Sequence, residues 1–277
     1  MTPRTHAVSI SSGVPSAVAA KRVIDRYGAE NTLLLFADTG WEDDDNYRFL
    51  VDVERWLGVE VLRLRDGRTP LAVFEQRGLI PNQMYAPCTA VLKLDVIRRY
   101  LKALRETTDV TLHIGMDWKD RQRGRLARPI QSWGALGITV EYPLLWEPLE
   151  LDAQAVIKRA GIQPPRMYSM GYSHANCGGR CVKQGKQDWR RTLVNFPERF
   201  AEVEDWESTM RQRPQNAEYA LLRDERGGDM RPMTLAELRA ETEAADHRQM
   251  RLFELEDDMQ TVCGVECGIG YAESVLP

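Results

Sequence analysis

Short apolar runs alternate with amphipathic helices through the first half of the chain, and that order leaves few folds open. "HAVSIS" predicts a buried strand, and residues 16–27 a helix with Val18, Val23, Ile24 and Tyr27 near helical spacing. "TLLLFAD" predicts a second strand, ending at Asp38. Acids open "DDDNYRFLVDVERWLG", as suits the positive end of a helix dipole. Phe49, Val53, Trp56 and Leu57 form its apolar face, and Gly58 ends it. "VEVLRL" predicts a third strand, and residues 89–104 a helix through Leu92, Val96, Ile97, Tyr100, Leu101 and Leu104. "VTLHIG" and "GITVEYPLL" predict the fourth and fifth strands. The alternation predicts an α/β fold, a parallel sheet with helices on both faces. Ligands of such sheets sit beyond the carboxyl ends of the strands.

The pattern changes near position 150, which divides the chain into an α/β domain (1–150) and a mainly helical, Cys-containing C-terminal region (151–277). "LDAQAVIKRAGIQPP" predicts a helix stopped by Gly and Pro-Pro, "RDERGGDMRP" a loop, and "TLAELRAETEAADHRQMRLFELEDD" a charged helix. A net charge of -4 gives no overall basic excess for nucleic acid, although local basic patches leave that partner open. No apolar run approaches the roughly 18 residues of a membrane span. "MTPRTHAVSISSG" lacks the basic head and apolar stretch of a secretory leader, so a cytoplasmic location is the expectation.

The first strand leads straight into "SSGVPS" and a helix. The first amides of a helix have no internal partner, and its dipole favours negative charge there. Gly13 allows close approach of a phosphate, Ser11, Ser12 and Ser16 offer hydroxyls, and Pro15 suits a first turn. The alternative is a plain strand-to-helix turn with a serine cap. Acids Glu42 to Asp45 are explained by a helix N-terminus, and His174 by a structural hydrogen bond.

"SSGVPS" resembles the PP-loop, S-G-G-x-D-S, of the adenine nucleotide alpha-hydrolase superfamily. "LLFADTGWEDDDNYRFL" and "APCTAVLKLDVIRRYL" are similar to segments of its phosphoadenylyl-sulfate (PAPS) reductase branch. "GMDWKDRQRGR" and "GYSHANCGGRCVKQGKQDW" resemble segments of PAPS-reductase-like proteins of phage genomes. The resemblance covers roughly residues 6–145 and implies an adenine nucleotide, PAPS or ATP, as ligand. It implies phosphate contacts from Ser11, Ser12, Gly13 and Ser16, with Asp38 and Thr39 lining the nucleotide pocket. Lys93, Arg121, Arg123 and Arg125 are the implied anion contacts. ATP-cleaving members carry an acid where this chain has Pro15, which puts magnesium-assisted cleavage of ATP in doubt.

The five cysteines are an odd number and include two C-x3-C pairs, Cys177/Cys181 and Cys263/Cys267. That argues against a disulfide framework. "VECGIG" resembles the C-terminal E-C-G-[IL]-H motif of PAPS reductases, with Gly270 where the family has histidine. The resemblance makes Cys267 the nucleophile toward sulfuryl sulfur, regenerated by a thiol protein such as thioredoxin. The competing reading has Cys177, Cys181, Cys263 and Cys267, or Cys88 as an alternative ligand, hold zinc or a [4Fe–4S] cluster. Three functions therefore stand: sulfur transfer or sulfonucleotide reduction, an ATP-pyrophosphatase that adenylates its substrate, and a catalytically silent nucleotide-binding module with a structural metal.

Overall fold

The computed structural model describes residues 4–147, 152–224 and 230–244. Strand β1 (Arg4–Ile10) is followed by α1 (Val14–Tyr27), β2 (Thr32–Asp38), α2 (Asp44–Leu57), β3 (Val61–Arg65) and α3 (Pro70–Arg77). A π-helical turn (Thr89–Leu94) leads into α4 (Asp95–Leu104). Then come β4 (Asp109–Ile114), α5 (Trp118–Gln122), α6 (Ala127–Gly134) and β5 (Thr139–Glu141). The sheet is five-stranded in the order β3-β2-β1-β4-β5, and every pairing in it is parallel.

Alternation along the central strands makes both faces apolar. Val8, Ile10, Leu34 and Phe36 face one way, against Val14, Ala17, Val18 and Val23 of α1 and Phe49, Leu50 and Val53 of α2. Ala7, Leu35, Ala37, Leu112 and Ile114 face the other way, against Ile97 and Leu101 of α4 and Trp133 of α6. Each fully buried Leu or Phe contributes about 1.5–3 kcal/mol, so central strands tolerate little polarity. The predicted α/β fold with helices on both faces is the observed one.

The C-terminal region continues with α7 (Ala153–Arg159), α8 (Arg166–Ser169), α9 (Lys186–Asn195), α10 (Pro197–Arg211), strands β6 (Leu222–Asp224) and β7 (Arg231–Met233), and α11 (Leu235–Ala244). Ile157 of α7 joins the core under α1. Phe74 of α3, Val91 and Leu92 share a second core with Trp189, Phe200, Trp206 and Leu238. Residues on both sides of position 150 thus bury one another.

Three local expectations change. Residues 89–104 are not a uniform α-helix, because the first six are π-helical. The fifth strand is only Thr139–Glu141, since Pro143 cannot donate to a ladder. The flanks of "RDERGGDMRP" are not loop: β6 and β7 pair antiparallel, Leu222 opposite Met233. Three-residue strands carry too few alternations to be read from sequence.

A buried polar pair lies beneath α1. His6 Nδ1 and His113 Nε2 are 2.9 Å apart on neighbouring strands, and the His6 ring stacks on Tyr27 at 3.7 Å. Burial, then the neighbouring His6 and Arg26, push the His113 pKa down to about 3. Glu207 of α10 is the opposite case. Its carboxylate accepts from the Leu221 and Leu235 amides at 2.7 Å each, and burial pushes its pKa up to about 7.

Candidate functional site

The chain builds β1, β2 and β3 outward in one direction and then returns to place β4 on the other side of β1. That reversal opens a crevice beyond the carboxyl ends of β1 and β4, where α/β sheets bind ligands. "SSGVPS" leaves β1 at this point, and Gly115 leaves β4. A Cβ on Gly115 would lie 3.0 Å from the Ser16 Cα, so glycine lets the β4 exit press against the start of α1.

The loop is stiffened from within. Ser12 adopts φ 55, a left-handed conformation that costs a non-glycine residue about 1 kcal/mol or more. Its hydroxyl donates to the Ser11 carbonyl at 2.6 Å. The Ser16 hydroxyl donates to the Gly13 carbonyl at 2.8 Å and accepts from the Ser11 amide at 3.0 Å. Gly13 caps α1 without a side-chain hydrogen bond. The Val14 amide donates to the Tyr168 hydroxyl at 3.4 Å, which brings α8 against the loop. The amides of Ser12 and Gly13 make no hydrogen bond among the described residues. The Ser11 hydroxyl donates to the Ser16 hydroxyl at 3.4 Å, so all three serine hydroxyls shape the loop, and its anion-binding donors are amides.

The end of β2 is tied differently. Asp38 Oδ1 accepts from the Gly40 amide at 2.9 Å and the Tyr47 hydroxyl at 2.8 Å, while Oδ2 accepts from Arg65. Burial, and then the Asp38 carboxylate, push the Tyr47 pKa up. The Asp38 carboxylate thus anchors β2, α2 and β3 to one another. Beside it lies a solvent-open crevice walled by Thr39, Trp41, Cys88, Lys93, Cys177 and Cys181, with Arg180 and Lys183 also contributing. Lys93 reaches this wall from the π-helical turn, a distortion often found at functional sites.

Glu42 is the hub of that wall. Its carboxylate accepts from Thr39 Oγ1 at 3.3 Å, Asn46 Nδ2 at 3.2 Å and the Cys177 amide at 3.1 Å, and lies 3.8 Å from Lys93 Nζ. Cys177, Gly178 and Gly179 run through three consecutive positive φ values, 62, 54 and 80. Successive amides in such a turn form a concavity for an anion, and Glu42 supplies one oxygen to it. A Cβ on Gly178 would meet Arg199 Nη1 at 3.0 Å and the Trp41 carbonyl at 3.1 Å. The Gly-Gly pair is therefore fixed by backbone and by space.

The turn is locked from behind. Asp43 caps α2 through the Asp45 amide, receives both Arg166 Nε and Nη2 at 2.8 Å, and receives Arg199 Nη1 at 2.7 Å. Arg199 also donates to the Gly178 carbonyl at 3.0 Å. Burial alone would raise the Asp43 pKa, but its arginine and backbone hydrogen bonds hold it below the usual carboxylate range.

The structure brings Thr39, Lys93, Cys88, Cys177 and Cys181 to one crevice, and sets Ser11, Ser12, Gly13 and Ser16 at the sheet's switch point. Arg121 and Arg123 lie exposed on and after α5, and Arg125 bonds Asp120 at 3.3 Å. Cys263 and Cys267 lie outside the described residues. Among the described residues no three Cys, His, Asp or Glu side chains converge closely enough to hold a metal ion. The three described thiols therefore do not make a zinc or cluster site by themselves. Both ring nitrogens of His174 are buried without a hydrogen-bond partner among the described residues, against the structural hydrogen bond expected for it.

Sequence reading missed Glu42 as a hub, Asp43 as an ion-pair centre, and Trp41, Arg180 and Lys183 as crevice residues. Only the turn left a signal, in the adjacent glycines between Cys177 and Cys181.

No family model matches the chain. An uncharacterized 37.8 kDa protein encoded in the gpa 5' region of Escherichia phage 186 is 30% identical over 136 residues. That match takes in 47% of this chain and 40% of the phage protein, so the chain spans less than half the length of this relative. Among solved structures, phosphoadenylyl-sulfate (PAPS) reductase from Candida auris, in a phosphate complex, is similar with a TM-score of 0.41 and 14% identity. The likeness covers 62% of this chain and 79% of that one. The strand order and register given above, and not this likeness, establish the fold. Among the described residues no helix is long and apolar enough to cross a membrane.

Proposed function

We propose that this chain binds the phosphates of an adenine nucleotide at residues 11–16 and carries out sulfur transfer or sulfonucleotide reduction beside it. The observation that carries the reading is the crevice next to the carboxyl end of β2, where three thiols and the cations Lys93, Arg180 and Lys183 share one wall. Cations beside thiols are the setting in which reactive thiolates form. The amides of Ser12 and Gly13, at the start of α1, receive the phosphates.

The sulfonucleotide is PAPS or a close analogue, as the sequence resemblance of residues 6–145 implies. The attacking thiolate is Cys267. Its sulfur forms an S–S bond to the sulfuryl sulfur, and the S–O bond to the nucleotide phosphate breaks. Adenosine bisphosphate leaves with the electron pair. A second thiol, from a small thiol protein such as thioredoxin, attacks the enzyme sulfur, releases sulfite and leaves a mixed disulfide. ATP cleavage is the weaker reading, because Pro15 offers no carboxylate for magnesium.

Anaerobic incubation with PAPS and reduced thioredoxin should yield sulfite and adenosine bisphosphate in equal amounts, and Cys267→Ser should stop both. Pyrophosphate release from ATP with magnesium, and no sulfite from PAPS, would replace this reading with the adenylating one. Cys177 and Cys181 in the crevice wall favour one second reading, a zinc or iron–sulfur centre held with Cys263 and Cys267, or with Cys88 as an alternative ligand. Metal analysis of anaerobically purified protein decides it, with a stoichiometric metal lost in Cys177→Ser as the supporting result.

A further inference from the structure

We infer that the exposed surface of residues 118–128 binds single-stranded nucleic acid. The segment follows the carboxyl end of β4 and carries Lys119, Arg121, Arg123, Arg125 and Arg128. Its acids are turned to local work. Asp117 Oδ1 accepts from the Lys119 and Asp120 amides at 2.8 and 3.1 Å, and Asp120 Oδ2 accepts from the Asp117 amide at 3.3 Å. Asp120 also holds Arg125. Lys119, Arg121, Arg123 and Arg128 are exposed and make no ion pair among the described residues.

Arg77, Lys102 and Lys158 are exposed without an ion pair too, but they are scattered, whereas these four lie within ten residues of a chain whose net charge is -4. Arg48, Arg65, Arg68, Arg98, Arg199 and Arg239 all meet carboxylates. A cluster of cations left without acids repels itself and gains from a polyanion. Trp118 adds the discriminating feature. It stays 43% exposed even though the Arg121 guanidinium lies 4.9 Å from its ring centroid. An exposed indole among arginines stacks on an unpaired base, while the arginines take the phosphodiesters. A duplex hides its base faces, and an anionic bilayer would call for a long apolar helix face. Helix α5 has five residues. This surface needs no bound nucleotide, so its test stands apart from the proposed reaction.

The test measures anisotropy of a short labelled single-stranded DNA, its RNA counterpart and the DNA duplex, across a salt series, with the full chain. Vesicles of anionic lipid form a separate arm. One or both single strands should bind more tightly than the duplex and quench tryptophan fluorescence, and the preference between them identifies the sugar. Trp118→Ala should weaken strand binding about tenfold and remove most of the quench. The triple variant Arg121→Ser, Arg123→Ser, Arg128→Ser should weaken it further, and reduce the slope of log affinity against log salt by about 2. Thermal melts of both variants should match wild type, and adenine-nucleotide affinity should be unchanged in a Lys119→Ser, Arg128→Ser control that still weakens strand binding. Absence of strand binding, strand binding indifferent to the three arginines, or vesicle binding in its place overturns the inference. So does a parallel loss of nucleotide affinity in that control, which would give these cations to the nucleotide site.

Discussion

Asp43→Ala should destabilise the protein by about 2–3 kcal/mol, because it removes a buried carboxylate on which two arginines converge. Asp43 has no exposed surface, and its partners come from residues 123 and 156 positions away. Removal of Asp43 leaves the half-buried Arg199 with only the Gly178 carbonyl, while Arg166, 43% exposed, can turn to water. The substitution also deletes the N-cap of α2, which contributes about 1 kcal/mol of that loss. Asp43→Asn keeps the cap and loses only the ion pairs, so its loss should be smaller. Urea unfolding at neutral pH measures both. The effect should reach the crevice as well, since Arg199 joins Asp43 to the Gly178 carbonyl. A thiol-reactive dye should therefore label Cys177 faster in Asp43→Ala than in wild type under native conditions. Unchanged labelling together with unchanged stability would mean that the cluster does not hold the turn.

The second large effect is on acid stability, and two buried groups oppose each other. The folded protein holds the His113 pKa at about 3, below the usual 6.5. Between those values the unfolded chain binds the extra proton, so stability falls as pH drops below about 6.5, by up to about 1.4 kcal/mol per pH unit. His6, lowered by the same burial, adds in the same direction. Glu207 has its folded pKa raised from 4.5 to about 7. Its contribution is full below about pH 4.5 and is lost as pH rises toward 7. Between about pH 4.5 and 6.5 the Glu207 slope offsets that of His113 and leaves the smaller contribution of His6 in the wild type. Glu207→Gln removes that offset, so over the same interval this variant should lose about 2–3 kcal/mol more than wild type on going from pH 6.5 to 4.5. Denaturant titrations at several pH values give both curves. Parallel curves for the two proteins would show that Glu207 ionises normally in the folded state.

The sheet could be read from sequence because its central strands are nearly continuous apolar runs. "TLLLFAD" is β2 to the residue, and Gly58 closes α2 in the left-handed conformation that favours glycine. The loop after β1 was legible for the same reason, since a strand, a glycine and a helix start follow one another directly. The crevice behind it was not. Glu42 reads as one more acid before a helix, and only tertiary packing turns its carboxylate toward the Cys177 amide, 135 residues away. The π-helical turn that carries Lys93 has the composition of an ordinary helix. Asp38 shows the converse, a residue at the right strand end whose carboxylate is engaged by Arg65, Tyr47 and the Gly40 amide.

Calorimetric titration of PAPS, ATP and AMP into wild type and Gly13→Ala bears most directly on the nucleotide cradle. Gly13 has φ -90, and an added Cβ would come no nearer than 3.4 Å to any neighbour, Ser11 Oγ and the Tyr168 hydroxyl being the first it meets, so the variant should fold and melt like wild type. Its methyl would stand where the phosphates approach the amides. Heat of binding with wild type, and affinity at least tenfold weaker in Gly13→Ala, is the expected result. No heat with any of the three nucleotides, or equal affinity in the two proteins, would remove residues 11–16 as the site.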